Sequence, residues 1–459
     1  MMRSMYSGVS GLRVHQTKMD VISNNISNIN TVGFKRASVS FKDSFSQTLS
    51  SATGANDNRG GINPQQVGMG ANVSSIVNVM GQGAAQRTDY GSDLMIDGDG
   101  FFIVRDSTGY SFTRAGVFEV DASGNLVDPN GYNVCGWRAE DDPDNPGQQK
   151  IVQDTVVPIN IYEGNNLYAP AEQTTSIEFT GNFNQTTNPT QKNTMSFYDS
   201  QGNKYTINVQ FEKDPNNANR WTISIPEAPN QQPVGQGQVE VTVNGSEKMY
   251  LPAANLVLQN TQLEFNTDGT LNFAGAAGST SINITNIDLS QLQKIENGQL
   301  TQANLGGELA SRSLNIDFST VTQFNSKVTV TSETKDGNTA GSMTGYSIDA
   351  NGIIRGTYSN GKTKTLWQIP LANFKNPAGL EKYGNNLYKE TSNSSEFDGI
   401  GSEVSALGSK LQSGALEMSN VDLSYEFSEM ITTQRGFQAN SRIITTSDEM
   451  IQELVNLKR

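Results

Sequence analysis

The 459-residue sequence changes its hydrophobic period twice, and this constrains the fold more than any other feature. Near the start, apolar side chains recur at Met5, Val9, Leu12, Met19 and Ile26, with Gln16 and Ser23 in the remaining slots of an alternating four-three spacing. Side chains repeating about every 3.5 positions share one face of a helix, so the segment reads as an amphipathic helix with a heptad-like stripe. It runs into Ser27-Asn28-Ile29-Asn30-Thr31-Val32-Gly33. The short polar side chains there compete for backbone hydrogen bonds and the glycine permits positive φ, so the helix is expected to stop near Ile29.

The same spacing returns at the other end, where Leu416, Leu423, Met430, Phe437, Ile444 and Ile451 stand seven apart beside a companion column of Phe427, Gln434, Ser441, Asp448 and Val455. Arg435, Arg442, Glu429 and Glu453 fall off this seam, and Gly436 is its one weak point. A helix is expected from about Asp422 to Leu457, with Lys458 and Arg459 placed to meet the negative end of its dipole.

Between the ends the period drops to two. Phe101-Phe102-Ile103-Val104, Tyr205-Thr206-Ile207-Asn208-Val209 and Thr280-Ser281-Ile282-Asn283-Ile284 are short β-competent runs separated by Gly, Asp and Asn turns. The fold class is therefore multidomain, a terminal α-helical coiled-coil pair plus all-β domains. Residues 1–30 carry the first helix, 31–75 have a linker composition and 76–144 begin an inner β-domain. The acidic, proline-bearing stretch 140–147 marks an exit, 145–335 form an inserted outer β-domain of one or two parts, 336–412 complete the inner domain and 413–459 carry the last helix.

Composition removes most chemistries. With 32 Lys and Arg against 46 Asp and Glu the net charge is −14, which repels nucleic acid and anionic membranes. One cysteine, Cys135, and one histidine, His15, leave no disulfide framework, thiolate metal cluster or multi-histidine zinc site within a chain. No apolar run approaches the ~18 residues of a membrane span, and Met1-Met2-Arg3-Ser4-Met5 is not followed by the apolar core of a secretory leader.

Asp97-Gly98-Asp99-Gly100 has Phe101 and Phe102 where a calcium loop needs a ligand and a glycine, and reads as a tight turn feeding a strand. His15 reads as a surface or interface residue and Cys135 as a small packed one. No catalytic, cofactor or metal site is expected. The terminal stripes remain. Two helices packed on their own body are the plain reading, but ordering a residue costs ~1–2 kcal/mol, and stripes left half covered do not offset that. Stripes from neighbouring copies complete the burial, so Met5, Val9, Leu12, Met19, Ile26, Leu416, Leu423, Phe427, Met430, Phe437, Ile444, Ile451 and Val455 are the expected polymerisation surface.

Three motifs in order resemble bacterial flagellar rod and hook proteins. The first holds Asn24, Asn25, Asn28, Asn30, Thr31, Gly33 and Phe34; the second Gly98, Gly100, Phe101 and Phe102, followed by Arg114, Gly116 and Phe118; the third Asn420, Val421 and Asp422, followed by Gln434, Arg435 and Gln438. Phe197-Tyr198-Asp199-Ser200-Gln201-Gly202-Asn203 and Leu371-Ala372-Asn373-Phe374 are similar to the hook branch of that family. The resemblance implies a non-enzymatic subunit of a flexible tube outside the cell. Its partners would be further copies of itself, the rod, the hook cap, the hook–filament junction proteins and the type III export apparatus, which passes it unfolded and uncleaved. A distal rod or junction protein is the near alternative. A secreted glycan-binding β-protein using Trp137, Trp221 and Trp367 is the distant one.

Overall fold

Alternation and turn residues between two heptad stripes become, among the described residues of the computed structural model, thirty-odd short strands bracketed by two long helices. The structure describes residues 2–54, 59–107, 109–142, 149–184, 190–229, 234–259, 261–272, 281–285, 287–297, 299–303, 305, 307, 309 and 313–457. Lys458, Arg459 and the proline-bearing half of the acidic stretch lie outside them. By its internal contacts the chain divides into two units, Met1–Glu163 with Tyr346–Gly356 and Lys364–Arg459, and Gly164–Gly345 with Thr357–Thr363.

The division thus falls after Glu163 and Gly345 and not at the acidic stretch near 145 or at 335. Glu140 and Asp141 end a strand that folds back on itself, pairing with Lys150 and Gln149. Lys335 and Asp336 stay with the second unit, where the Asp336 carboxylate accepts the Thr175 and Ser176 amides at 3.1 Å. Glu140 and Asp141 stand exposed at a paired strand end and Asp336 caps a strand, so these charges mark no boundary.

In the first unit the helix α1 spans Met2–Ser27. The expected linker is not irregular. Strand β1 (Ala37–Asp43) is followed by β2 (Ser46–Ser50), β3 (Gln65–Gly68) and β4 (Ala71–Asn78), which form two antiparallel ribbons, β1 with β4 and β2 with β3. Serine and threonine alternate there with apolar residues, as in Ser38-Val39-Ser40-Phe41, so composition suggests a linker where period suggests a strand. Then follow β5 (Ala85–Arg87), β6 (Leu94–Asp97), β7 (Phe101–Asp106), β8 (Gly109–Thr113) and β9 (Asn133–Asp141). The chain closes with β10 (Lys410–Ser413) on β6, β11 (Ala415–Glu417) on β5, and the helix α2 over Leu423–Asn456. Leu416 therefore belongs to a strand, outside the helical stripe.

The glycines of Asp97-Gly98-Asp99-Gly100 take φ of +123° and +115°, which turns β6 into β7 and delivers Phe101 and Phe102 to opposite faces. Phe101 meets Phe374 and Tyr388, and Phe102 meets Phe118 edge-on at 5.0 Å. Cys135 is wholly buried beside them in β9, and burial pushes its thiol up to about 12.

The second unit is two sheets around one aromatic core. Strands Ser176–Asn184 and Ser313–Phe324 run parallel at the centre of one sheet; Lys204–Lys213 is central in the other and buries Tyr205, Ile207, Val209 and Phe211 by strict alternation. Phe179 stacks on Phe318 at 5.0 Å and Phe183 on Trp221 at 4.9 Å. Trp137, Trp221 and Trp367 are all buried, so none offers a platform to a sugar.

Two outcomes follow from this packing. Phe183→Ala is expected to destabilise the second unit by ~3–5 kcal/mol, read as an earlier denaturant midpoint in Trp221 fluorescence; an unmoved midpoint would mean that the stack is not structural. Cys135 should resist a thiol reagent at pH 8 until the chain is unfolded, and labelling of the native chain at the rate of a free thiol would contradict its burial.

Candidate assembly interface

The two terminal helices run antiparallel, as their contacts prove: Lys18 pairs with Glu429, His15 lies over Gly436, Gly11 meets Asn440, Gly8 meets Ile444 and Ser4 Oγ is 3.4 Å from Ser447 Oγ. As the number on α1 falls, that on α2 rises. The seam residues of α1, at 4, 8, 11, 15 and 18, keep the four-three spacing but stand one position before the apolar stripe at 5, 9, 12 and 19. One residue is about 100° of helix. From Ser4 to Lys18 the face that α1 turns to α2 is thus made of small and polar residues with the apolar stripe flanking it, and the same column then reaches the buried Ile22.

Three glycines let this face close. A β-carbon on Gly8 would lie 3.2 Å from Ile444 Cγ1, one on Gly11 2.6 Å from Asn440 Nδ2, and one on Gly436 2.8 Å from the His15 ring. Each glycine costs ~1 kcal/mol of helix propensity relative to alanine, so three of them where the helices touch mark a need for close approach. Sequence reasoning treated Gly436 as a weak point; the glycine spacing against the opposite helix was the signal it missed.

On α2 the buried column is Glu426, Thr433 and Ser447. It stands one position before the companion column that starts at Phe427. Of the expected surface, Ile444 lies in the seam, while Met5, Leu12, Met19, Ile26, Met430 and Ile451 are half-buried at its edges. Val9, Leu423, Phe427, Phe437 and Val455 are exposed, Phe427 to 49% and Val455 to 60%. Gln434, Arg435 and Gln438 are exposed on α2 as well. Ile431 and Leu454, outside the expected set, join the exposed apolar face. The ribbon of β2 and β3 is exposed as well, with Phe45, Leu49 and Val67 open to solvent and Val67 paired opposite Gln47.

The motif residues converge where both helices leave the β-body. Asn25 is buried; its side chain donates to Ala37 O at 2.9 Å and accepts from Ala37 N at 3.0 Å, tying α1 to β1. Asn28 Nδ2 donates to Asn24 O at 2.9 Å and its Oδ1 accepts the Thr31 hydroxyl at 3.1 Å, which winds up the end of the helix, with Asn30 left exposed. Gly33 takes φ +69° with Arg114 and Ala115 backbone against its Cα, and its N–H donates to Glu417 O at 2.7 Å. Asn420 Nδ2 donates to Val79 O and Gly81 O, and its Oδ1 accepts Arg36 N at 2.8 Å. Val421 is buried, and the Asp422 carboxylate caps α2 by accepting Ser424 N at 2.8 Å.

At the centre of this junction one carboxylate holds two cations. Lys35 Nζ is 2.6 Å from Glu417 Oε1 and Arg114 Nη1 is 3.4 Å from Oε2, all three side chains 4% exposed or less. Lys35 also donates to Gly81 O, Arg114 donates to Gly98 O and lies over the Phe101 ring, and Gly83 N donates to Glu417 Oε1. Burial draws the Lys35 ammonium below its ordinary value, with Glu417 pulling the other way. A second ion pair, Arg36 with Glu426 at 3.6 Å, joins the segment after α1 to the first turn of α2.

Residues 5–35 match the family described as flagella basal body rod protein, and residues 95–183 match the flagellar hook protein FlgE/F/G D1 domain. Residues 165–338 match the flagellar basal body protein FlaE D2 domain, and 412–457 the flagellar basal body rod FlgEFG protein C-terminal family. The flagellar hook protein FlgE of Borreliella burgdorferi is 39% identical and that of Treponema pallidum 37% identical, each alignment covering 100% of both chains. That of Salmonella typhimurium is 31% identical over 99% of this chain and 100% of its own.

The junction gives a direct test. Glu417→Gln leaves two buried cations without a carboxylate, and losing one partner of a buried ion pair costs ~3–5 kcal/mol. Amide exchange at Gly33 and Asn420 is expected to accelerate while the second unit stays protected, and unchanged protection at both amides would rule out this role for the cluster.

Proposed function

The chain belongs to the flagellar hook protein family, and on that premise we propose that it is a structural subunit of the hook whose copies polymerise through their terminal helices into a flexible tube that carries torque from rod to filament. One observation carries the reading. The seam within a subunit is closed mostly by small and polar residues, so that, Ile444 apart, the apolar stripes of both helices stay at its edges and outside it. A surface of Val9, Phe427, Ile431, Phe437 and Val455 held in water is a standing loss, and a lattice of identical helix pairs removes it.

The ribbon of β2 and β3 fits the same scheme, since a two-stranded ribbon carrying exposed apolar side chains is marginal in water and gains from a neighbour's cover. The role is mechanical and asks for no catalytic group. The tube lies outside the cell, meets the rod at one end and cap and junction proteins at the other, and its subunits leave through the type III export apparatus unfolded and without loss of a leader. Stripes that order only on assembly suit that passage.

Pelleting of the full chain tests the reading. Losing the burial of one large apolar side chain costs ~1.5–3 kcal/mol, on the order of 10- to 100-fold in critical concentration. Phe427→Asp and Val455→Asp are each expected to raise the critical concentration by at least that much without shifting the denaturant unfolding of either β-unit, with electron micrographs showing tubes only for the parent. Variants that pellet like the parent would sink the proposal.

A further inference from the structure

His15 is the chain's one histidine, and polymerisation through apolar stripes asks nothing of its chemistry. Its ring sits in the seam over Gly436, in a notch that a β-carbon would fill. The ring meets Phe41 edge-on, centroids 6.1 Å apart and planes at 78°. Nδ1 is buried and finds no hydrogen-bond partner among the described residues. The charged groups around it can be named element by element. On α1 there is Lys18, one turn on. On α2 there is Glu429, which Lys18 engages, while Arg435 next to Gly436 is exposed. On β1 the facing side chain is Phe41, with Lys42 alternating to the other side of the ribbon and the exposed Asp43 returning to Phe41's side further along the strand, and opposite Phe41 on β4 stands the uncharged Val73.

A neutral imidazole suits this notch. It presents an aromatic edge to Phe41 and needs no partner at Nδ1 if Nε2 carries its proton. An imidazolium does not: it adds an N–H at Nδ1 with nothing to accept it and puts a second positive charge near Lys18. We propose that His15 makes closure of the helix pair, and with it the polymer, sensitive to protons, so that the neutral ring locks the seam and protonation loosens it. This rests on the assembly reading above.

The direction of the effect follows from linkage. Burial first, and Lys18 second, hold the imidazole below its ordinary value in the folded chain. The folded form therefore binds the proton less tightly than the unfolded one. The stabilisation is complete above the free imidazole value of ~6.5 and is lost as pH falls from there toward the folded value.

The critical concentration of the full chain, measured by pelleting between pH 7.5 and pH 5.5 for the parent and for His15→Gln, tests the proposal. The parent is expected to need severalfold more protein at the acid end, by no more than about tenfold per pH unit because one proton is involved, and the variant is expected to lose that component. Equal pH dependence in both overturns the proposal. Should His15→Gln form no polymer at any pH, solid-state NMR of parent polymer carrying 13C-labelled histidine decides: a neutral ring at pH 6.5 is expected, and a ring half-protonated at or above that pH overturns it. A parent chain that forms no polymer at pH 7.5 brings down the assembly reading and this one with it, a different signature from a polymer indifferent to His15.

Discussion

A single carboxylate between two buried cations holds the two ends of this chain to its β-body. Glu417 lies in the last strand before α2, Lys35 just after α1 and Arg114 just after the β7–β8 hairpin. Three stretches remote in sequence therefore share one electrostatic site, and none can move without stranding a charge in a low-dielectric interior. Backbone hydrogen bonds follow the same route: Gly33 donates to Glu417 and Asn420 to Phe34, so the exits of both helices are bonded to each other. The orientation of the helix pair against the β-body is fixed here, at its base, before the seam contributes anything.

The seam then decides what the helices offer to their surroundings. An apolar seam would have spent the stripes inside the subunit and left a polar exterior, the arrangement of a self-sufficient coiled coil. In this chain the contact is made by glycines and by Ser4, His15, Lys18, Asn440 and Ser447, with Ile444 the one stripe residue among them, a face rotated by about one residue from the stripes. Close approach through glycine fixes the register sterically with little apolar burial. The pair is thereby specified in geometry while its apolar surface remains available, a division of labour that suits a subunit whose helices must meet many others.

The helices, the expected ends near Ile29, Asp422 and Leu457 to within two residues, and the β character of the middle were legible because long periodic segments carry redundant signals: Met5 to Ile26 repeats its spacing for six intervals, and the column from Leu423 to Ile451 returns every seven residues. The face was not. Heptad columns one residue apart differ only in which one meets its partner, and hydrophobicity points to the wrong column when small residues make the contact. Gly8, Gly11 and Gly436 held that information, but each becomes meaningful only with the opposite helix in place. Glu417, too, was invisible, since a charged residue in a three-residue strand looks exposed until Lys35 and Arg114 are brought to it by a fold that sequence period does not encode. The ribbons between 37 and 78 were lost to composition, because serine and threonine serve linkers and strand edges alike.

Register fixed by glycine notches has a further consequence for how the ends gain order. Steric notches act only once the helices are in contact; they select among closed arrangements but supply little attraction at a distance. The attraction has to come from the ion pairs at the base and from cover over the stripes. On the proposed reading that cover belongs to neighbouring subunits, so a subunit arriving at a growing end brings a base already organised by Glu417 and stripes still seeking burial. The notches then ensure that the closed pair is the same in every copy. Uniformity matters in a lattice, because an error of one residue in the seam would rotate every exposed apolar side chain by about 100° and present the next subunit with the wrong face.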